Sequence, residues 1–360
     1  MSLAEGILSF LSQPLGVVQF VAAVAVVTGI VCEIVLASIM AWVEKKDWWP
    51  RAMPLQKALM MSFGFPEASC TEYQTRSGYA YVITLCTHHV VCGSMMLPVV
   101  IFGWAGAQKL GQACFLVGAL MDVSVDVYDE FRMFSVTFLY ESVGQKLFGG
   151  EKGPKQFFVV VGVLHHPLAM TMVCPLVLHY PDLASFHIVA LALLFAAGIC
   201  FTTGSYKFTL DVTKAFDWYQ FKAIVVLQAV TILYTRGYVW FRHLYIVLCT
   251  FWADGSMKFF CGGCVAGTLM SLFNLVMIAD AVGAAVKWLP RSMVKEGSDE
   301  QSEFNEDLVM RIPSTPSKGA MNGSMKAFAA LGLSPASTFR ANVQVTVAAS
   351  KFKKGIQKKD

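Results

Sequence analysis

Charged residues are scarce in this chain. Asp, Glu, Lys and Arg make up 14% of its 360 residues, whereas 56% are hydrophobic. A soluble domain of this length has no interior large enough to bury so much apolar surface. The sequence therefore predicts an all-α, polytopic membrane protein. The excess of positive charge is only four, and no compact basic face interleaved with aromatic residues occurs, so no nucleic-acid partner is expected.

Several catalytic and metal-binding motifs are absent as well. The seven histidines form no His-x-x-x-His or His-x-x-His-His pattern, which argues against a membrane desaturase. No glycine-rich nucleotide loop is present. Cys261 and Cys264 have the spacing of a metal or redox pair, but no second pair follows at zinc spacing. We therefore expect no resident metal and no cofactor.

The chain consists instead largely of long apolar runs. A helix of roughly 20 apolar residues crosses the hydrocarbon core of a bilayer. We expect a bundle of about eight transmembrane helices at these ranges: 15–42, 77–107, 110–127, 131–148, 156–181, 183–206, 223–252 and 259–288. The run 223–252 is interrupted by Arg236, Arg242 and His243, so it could form two short spans.

The positive charges only partly determine the orientation of these spans. Basic residues and tryptophans at 44–51 predict a cytosolic loop at the membrane interface. Eight spans would place the Lys-containing turn at 149–155 on the opposite side, against the usual bias, and a ninth span around 239–253 would return the tail to the cytosol. Residues 291–360 are rich in Ser, Lys, Gly and Pro, which predicts a disordered tail.

Two pairs of consecutive histidines lie inside apolar runs: His88 with His89, and His165 with His166. Each pair begins ten residues before a proline, at an offset of 77 residues, which indicates a weak internal repeat. Successive helix residues point about 100° apart, so the two rings of one pair cannot both face one cavity squarely. Pro167 lacks a backbone donor and favours a kink beside the second pair.

Imidazoles inside a membrane protein allow two interpretations. A neutral ring can act as a general base, or as a nucleophile toward a thioester. Alternatively, the rings simply hydrogen-bond neighbouring helices, as polar groups in lipid must.

Acidic residues also occur in or beside the apolar runs. Glu33 is the only charged residue of the first span, where it either bonds other helices or joins a polar site. Asp122, Asp126 and Asp129 or Glu130 share one helical face and could line a polar mouth. A solvated helix end is the simpler interpretation.

Five short elements in the second half of the chain follow a recognisable order. They are Phe138-Leu139-Tyr140-Glu141, the pair His165-His166, Thr202-Thr203-Gly204-Ser205, Arg236 with the aromatic residues at 238–241, and Asn274 through Lys287. This order resembles the TLC-domain family, which includes ceramide synthases and translocation-associated membrane proteins. The resemblance divides the chain into an N-terminal transmembrane region (1–119), a TLC-like domain (120–290) and the tail (291–360).

The chain departs from that family at two points. The His-Asp-x-x-Asp element of ceramide synthases is missing, and threonines replace the usual acid of the small-polar segment. In addition, His88-His89 with Asp122 and Ser124 fits the spacing of the histidine pair and its acid-x-Ser partner. The second pair fits better, because only it has Tyr140 before it and Arg236 after it.

The resemblance implies a lipid-handling protein of the endoplasmic reticulum or another endomembrane, with membrane lipids as partners. It implies either acyl transfer from acyl-CoA to a lipid acceptor or regulation of membrane lipid composition. In the enzymatic form His165 and His166 would be catalytic, and the lipid would contact Tyr140, Ser205, Arg236, His88 and His89. The alternatives are a non-catalytic lipid scaffold and a transporter or channel. The latter would use Glu33, the acidic face at 122–130, Arg236 and Asp280. The oligomeric state stays open.

Overall fold

The computed structural model describes residues 2–293, and within them helices alternate with short turns and no strand occurs. The predicted tail from residue 294 onward lies outside the described residues. The main helices are α1 (Leu3–Leu11), α2 (Pro14–Val43), α3 (Trp49–Ser62), α4 (Glu72–Gly106), α5 (Gln108–Phe138), α6 (Lys155–His179), α7 (Ala184–Lys207), α8 (Ala215–Ala253) and α9 (Met257–Trp288).

Seven of these helices, α2 and α4 to α9, are long and apolar enough to cross a membrane. This confirms the predicted all-α bundle of membrane-spanning helices, with seven spans in the described residues. The predicted separate spans at 110–127 and 131–148 are wrong. Residues 108–138 form one helix, because the intervening residues contain no Gly or Pro to break it.

The connecting loops show which helix ends share one side of the bundle. The Glu151 backbone N–H donates to Gln74 Oε1 (3.0 Å), and Arg51 Nη1 lies 3.4 Å from Asp211 Oδ2. The loops 44–48, 63–71, 139–154 and 208–214 therefore lie together, and we call this end of the bundle the basic face. Both Lys-containing segments, 44–51 and 149–155, lie on it, which removes the conflict that eight spans would create. The charge bias predicts that the basic face is cytosolic.

Two of the spanning helices change their hydrogen-bond register. Residues Val159–His165 of α6 and Leu233–Val239 of α8 are π-helical turns. In α6 the turn ends just before Pro167, which has no N–H to donate to the preceding turn. A π-helical turn thus lies beside the second histidine pair, next to the position where Pro167 predicts a kink. Helix α8 continues through Arg236 and Arg242 as one span, so the alternative of two short spans is not adopted.

The bundle encloses a polar layer between two hydrophobic clusters. One cluster lies near the basic face and includes Trp49, Tyr79 and Phe221. The other lies toward the opposite end and includes Leu11 and Phe115. His88 and His89 lie between these clusters along α4, at a depth where polar side chains need partners from the protein. This arrangement places the candidate site in the middle of the bundle.

The division of the chain at residues 119 and 120 stays a prediction. Its boundary falls inside α5. This helix packs against α2 and α4, which precede it in the chain, and against α6, which follows it.

Candidate functional site

The acidic residues of α5 form the centre of the site. Asp126 and Asp129 are 6% and 2% exposed, although both carry ionisable side chains. Their three-residue spacing places them on one helical face, as predicted. The interpretation of this region as a solvated helix end is wrong, because α5 continues to Phe138 and packs among α2, α4 and α6.

The first histidine pair reaches this acidic face from α4. His89 Nδ1 lies 2.7 Å from Asp122 Oδ1. An ionised carboxylate only accepts hydrogen bonds, so His89 carries its proton on Nδ1 and leaves Nε2 as the basic atom. His88 Nε2 lies 3.2 Å from the Met121 carbonyl oxygen and 3.2 Å from Cys92 Sγ.

The second pair reaches the same face from α6. His166 Nε2 lies 3.6 Å from Asp126 Oδ1 and 3.6 Å from Asp129 Oδ2, and His166 Nδ1 lies 3.5 Å from Glu130 Oε2. These separations are too long for good hydrogen bonds. His166 Nδ1 and Glu130 Oε2 are buried without a hydrogen-bond partner among residues 2–293. The ring is therefore surrounded by acids but is not locked to any of them.

His165 faces away from these acids, as the angle between successive helix residues predicts. Its ring centroid lies 5.3 Å from that of Phe273 on α9 and 5.6 Å from that of His166. Both histidine pairs therefore contribute to one site, with His89 and His166 at the acids of α5 and His165 on the side of α9.

Arg236 closes the site on the side of α8 and α9. Its side chain lies in the π-helical turn of α8 and is only 6% exposed. Arg236 Nη1 donates to Asn274 Oδ1 (2.7 Å), and the guanidinium carbon lies 5.5 Å from the centre of the Phe273 ring. Phe273 thus contacts both His165 and Arg236.

A second group of polar residues holds the helices around the site. Arg132 Nε lies 3.0 Å from Glu33 Oε1, and the Tyr128 hydroxyl donates to the same oxygen. The Tyr81 hydroxyl of α4 donates to Asp129. These contacts join α2 and α4 to α5, so Glu33 has partners on a neighbouring helix.

Two predicted site residues lie elsewhere. The Tyr140 hydroxyl donates to the Gly150 carbonyl oxygen (2.7 Å) in the loop on the basic face. The Ser205 carbonyl oxygen accepts a bond from the Tyr79 hydroxyl (3.4 Å). Within residues 2–293, no hydrogen bond joins either residue to a histidine of the two pairs. The contact of both residues with a lipid stays a prediction.

Three side chains near the first pair have the chemistry of metal ligands. The ligand atoms of His88, Cys92 and Asp122 lie within 4.8 Å of one another. Imidazole, thiolate and carboxylate are the donors that zinc takes, so this trio could supply three of the four ligands of a tetrahedral site. Sequence spacing did not indicate the trio, because Asp122 belongs to a different helix from the other two.

An apolar cavity of about 320 Å³ lies beside the site, between α6, α7, α8 and α9. Its walls include Leu176, Ala190, Leu248 and Gly267. Trp240, one helical turn beyond Arg236, also lines it, and Trp240 Nε1 donates to Ser271 Oγ (2.9 Å). The polar site and the cavity thus occupy successive levels of the same helices.

Sequence reasoning missed the burial of Asp126 and Asp129 and the contribution of Cys92. The sequence did contain a signal for the burial of the two acids. They have helical spacing, and residues 119–138 contain neither Gly nor Pro, which is compatible with a continuous helix.

Fold and site together define a membrane protein with seven spanning helices in its described residues and a buried histidine–carboxylate centre. Comparison of the chain with protein-family models, with curated proteins and with solved structures found no match.

Proposed function

We propose that this protein transfers an acyl group from a thioester such as acyl-CoA to an amine or hydroxyl group of a membrane lipid. The observation that carries this proposal is the convergence of both histidine pairs on the acidic face of α5, with His89 oriented by Asp122. The resemblance to the TLC-domain family supports the same reaction class.

His165 is the nucleophile in this proposal. Its imidazole attacks the thioester carbonyl carbon, a carbon–nitrogen bond forms and the carbon–sulfur bond breaks. The thiolate leaves and takes up the proton that the acylated imidazole ring releases. His165 contacts the Phe273 ring, and this ring also contacts Arg236. This position favours the role, because a buried guanidinium stabilises negative charge that develops on the carbonyl oxygen.

His89 is the general base of the second step. The lipid amine or hydroxyl attacks the acyl-imidazole and gives its proton to His89 Nε2. The acyl carbon–nitrogen bond breaks, and His89 passes this proton to the departing His165 ring, which restores both neutral imidazoles. Asp122 keeps the other His89 nitrogen protonated through the 2.7 Å hydrogen bond. Two histidines with separate partners thereby divide the nucleophile and base roles between them.

The apolar cavity supports an acyl substrate. Its volume of about 320 Å³ lies at the lower end of the range of roughly 300–1,000 Å³ found for small-molecule sites. An acyl chain in this cavity whose polar end points toward Trp240 would bring that end to within one helical turn of Arg236.

Purified protein in proteoliposomes, supplied with myristoyl-CoA and a long-chain amine, tests the proposal. Release of free thiol and formation of the amide are measured together. We expect His165→Ala to abolish both, and His89→Ala to retain single-turnover acylation while losing the amide product.

His179→Ala serves as the matched control, since His179 lies exposed at the far end of the same helix, α6. It should retain wild-type turnover. The proposal would be refuted if wild-type protein formed neither product with several acceptors. Full activity of His165→Ala would refute it as well.

Proton-coupled transport is the second candidate function. The row of carboxylates on α5, from Asp122 to Glu130, favours it because intramembrane acids mark proton pathways. Solute-dependent proton flux into liposomes that is lost in Asp126→Asn, without any acyl transfer by wild type, would establish this class instead.

A further inference from the structure

Arg236 is a buried cation that has no anionic partner in the described part of the chain. Its side chain is 6% exposed, and its one hydrogen bond to a side chain goes to the neutral amide of Asn274. Among residues 2–293, every ion pair involves other basic side chains. A buried guanidinium without a counter-charge is costly, and arginines at membrane depth usually face a partner or a ligand.

Two donors at this place lack hydrogen-bond partners. Arg236 Nε and Asn274 Nδ2 are both buried and unpaired within residues 2–293. Asn274 itself is fully buried. Buried donors are nearly always satisfied in native proteins, so two unpaired donors beside one uncompensated charge point to an acceptor that carries negative charge.

The cavity next to Arg236 is lined mostly by apolar side chains, with Thr171, Ser185 and Lys258 as its polar lining residues. Trp240 lines the end nearest to Arg236 on α8, and Phe251 lines the other end. These two residues are eleven positions apart, so the cavity extends roughly 16 Å along the helix at 1.5 Å per residue. A single hydrocarbon chain suits such a cavity.

We infer that Arg236 and Asn274 bind the anionic head of a single-chain amphiphile, a carboxylate or a phosphate, whose chain occupies the cavity between α6, α7, α8 and α9. This inference deepens the proposed lipid handling by naming the ligand class, but it does not depend on catalysis. A fatty-acid carboxylate and a lysophospholipid phosphate share the required chemistry.

Binding of three matched probes to purified, detergent-solubilised protein tests the inference. The probes are myristate, 1-myristoyl lysophosphatidate and the uncharged tetradecanol, each competed against a fluorescent fatty-acid probe. We expect wild type to bind at least one of the anions about tenfold or more tightly than tetradecanol, the change expected for one charge-assisted hydrogen bond. The preferred anion then identifies the headgroup.

Arg236→Gln should abolish this preference while retaining the affinity for tetradecanol. Arg242→Gln is the matched control, because Arg242 is an exposed arginine on the same helix, and it should retain the preference. Ala266→Phe, which places a large ring in the cavity wall, should weaken all three probes and leave Arg236 intact.

Equal binding of all three probes by wild type would overturn the inference without any variant, as would an undiminished preference in folded Arg236→Gln. Size-exclusion chromatography of each variant identifies misfolded protein. Preferential anion binding without acyl transfer would support this inference and refute the proposed catalysis. The experiments therefore distinguish failure of the binding inference from failure of the proposed function.

Discussion

Replacement of Asp122 by Asn tests the division of roles between the histidines. The side chains have nearly the same shape, but the amide can donate a hydrogen bond where the carboxylate only accepts. His89 Nδ1 lies 2.7 Å from Asp122 Oδ1, which is the length of a charge-assisted bond. The substitution therefore removes the force that keeps the His89 proton on Nδ1.

The magnitude follows from that bond. A hydrogen bond to a charged group contributes about 1.5–3 kcal/mol, which corresponds to about a 10- to 150-fold change in the fraction of His89 with a basic Nε2. We expect Asp122→Asn to slow acceptor-dependent turnover by about this factor. Acylation of the protein in a single turnover, which uses His165, should proceed close to the wild-type rate.

The assay compares thiol release in the first turnover with amide formation over many turnovers. Asp182→Asn, an exposed residue in the loop between α6 and α7, is the matched control and should change neither rate. Amide formation by Asp122→Asn within twofold of wild type would refute the reasoning. An equal loss in both half-reactions would assign Asp122 a structural role instead.

Three further predictions concern the bundle around the site. Arg132→Gln leaves the Glu33 carboxylate inside the bundle without its cationic partner. The thermal midpoint of this single variant in detergent should therefore lie below that of the Glu33→Gln/Arg132→Gln double variant. The reverse order would contradict the pairing of the two residues. Gly198→Ala should destabilise the protein by about 1–3 kcal/mol, because the new methyl group meets Val90, whereas Gly204→Ala should be tolerated; equal thermal midpoints would contradict this. The Thr213 hydroxyl donates to Asp211 and lowers the pKa of this carboxyl below its ordinary value. Its stabilisation is therefore present at neutral pH and lost as the pH falls through that lowered pKa, so Asp211→Asn should lower the thermal midpoint at pH 7 and lose this effect in strong acid. A pH-independent difference would argue against the shift.

The π-helical turns connect the sequence motifs with the fold. Residues Tyr140–Gly144 form a third π-helical turn in the described residues, in the segment that follows α5. The three turns contain Tyr140, His165 and Arg236, which are elements of the family resemblance. Turns of this kind are frequent at functional sites. Only the turn beside Pro167 had a signal in the sequence, because proline removes a backbone donor, whereas the turn around Arg236 contains no residue that predicts it.

The span count shows where hydropathy alone misleads. The acidic cluster around Asp126 lowers the local hydropathy, which predicts two separate spans, 110–127 and 131–148, with a polar link between them. In the folded chain Asp129 accepts a hydrogen bond from Tyr81, and His166 lies beside it. Charges that end a span in isolation are tolerated inside one when neighbouring helices supply partners.

The sequence by itself determined the class of this protein and the identity of its unusual groups. Apolar runs of about 20 residues specify membrane-spanning helices without reference to any partner, and the histidine pairs stand out against them. Only the tertiary structure decided that both pairs meet one acidic helix face, that α5 is a single span, and that Arg236 lies beside Phe273 and an apolar cavity. The physical reason is that helix formation depends on local residues, whereas the contacts of His89, His166 and Arg236 depend on how distant helices pack and rotate against one another.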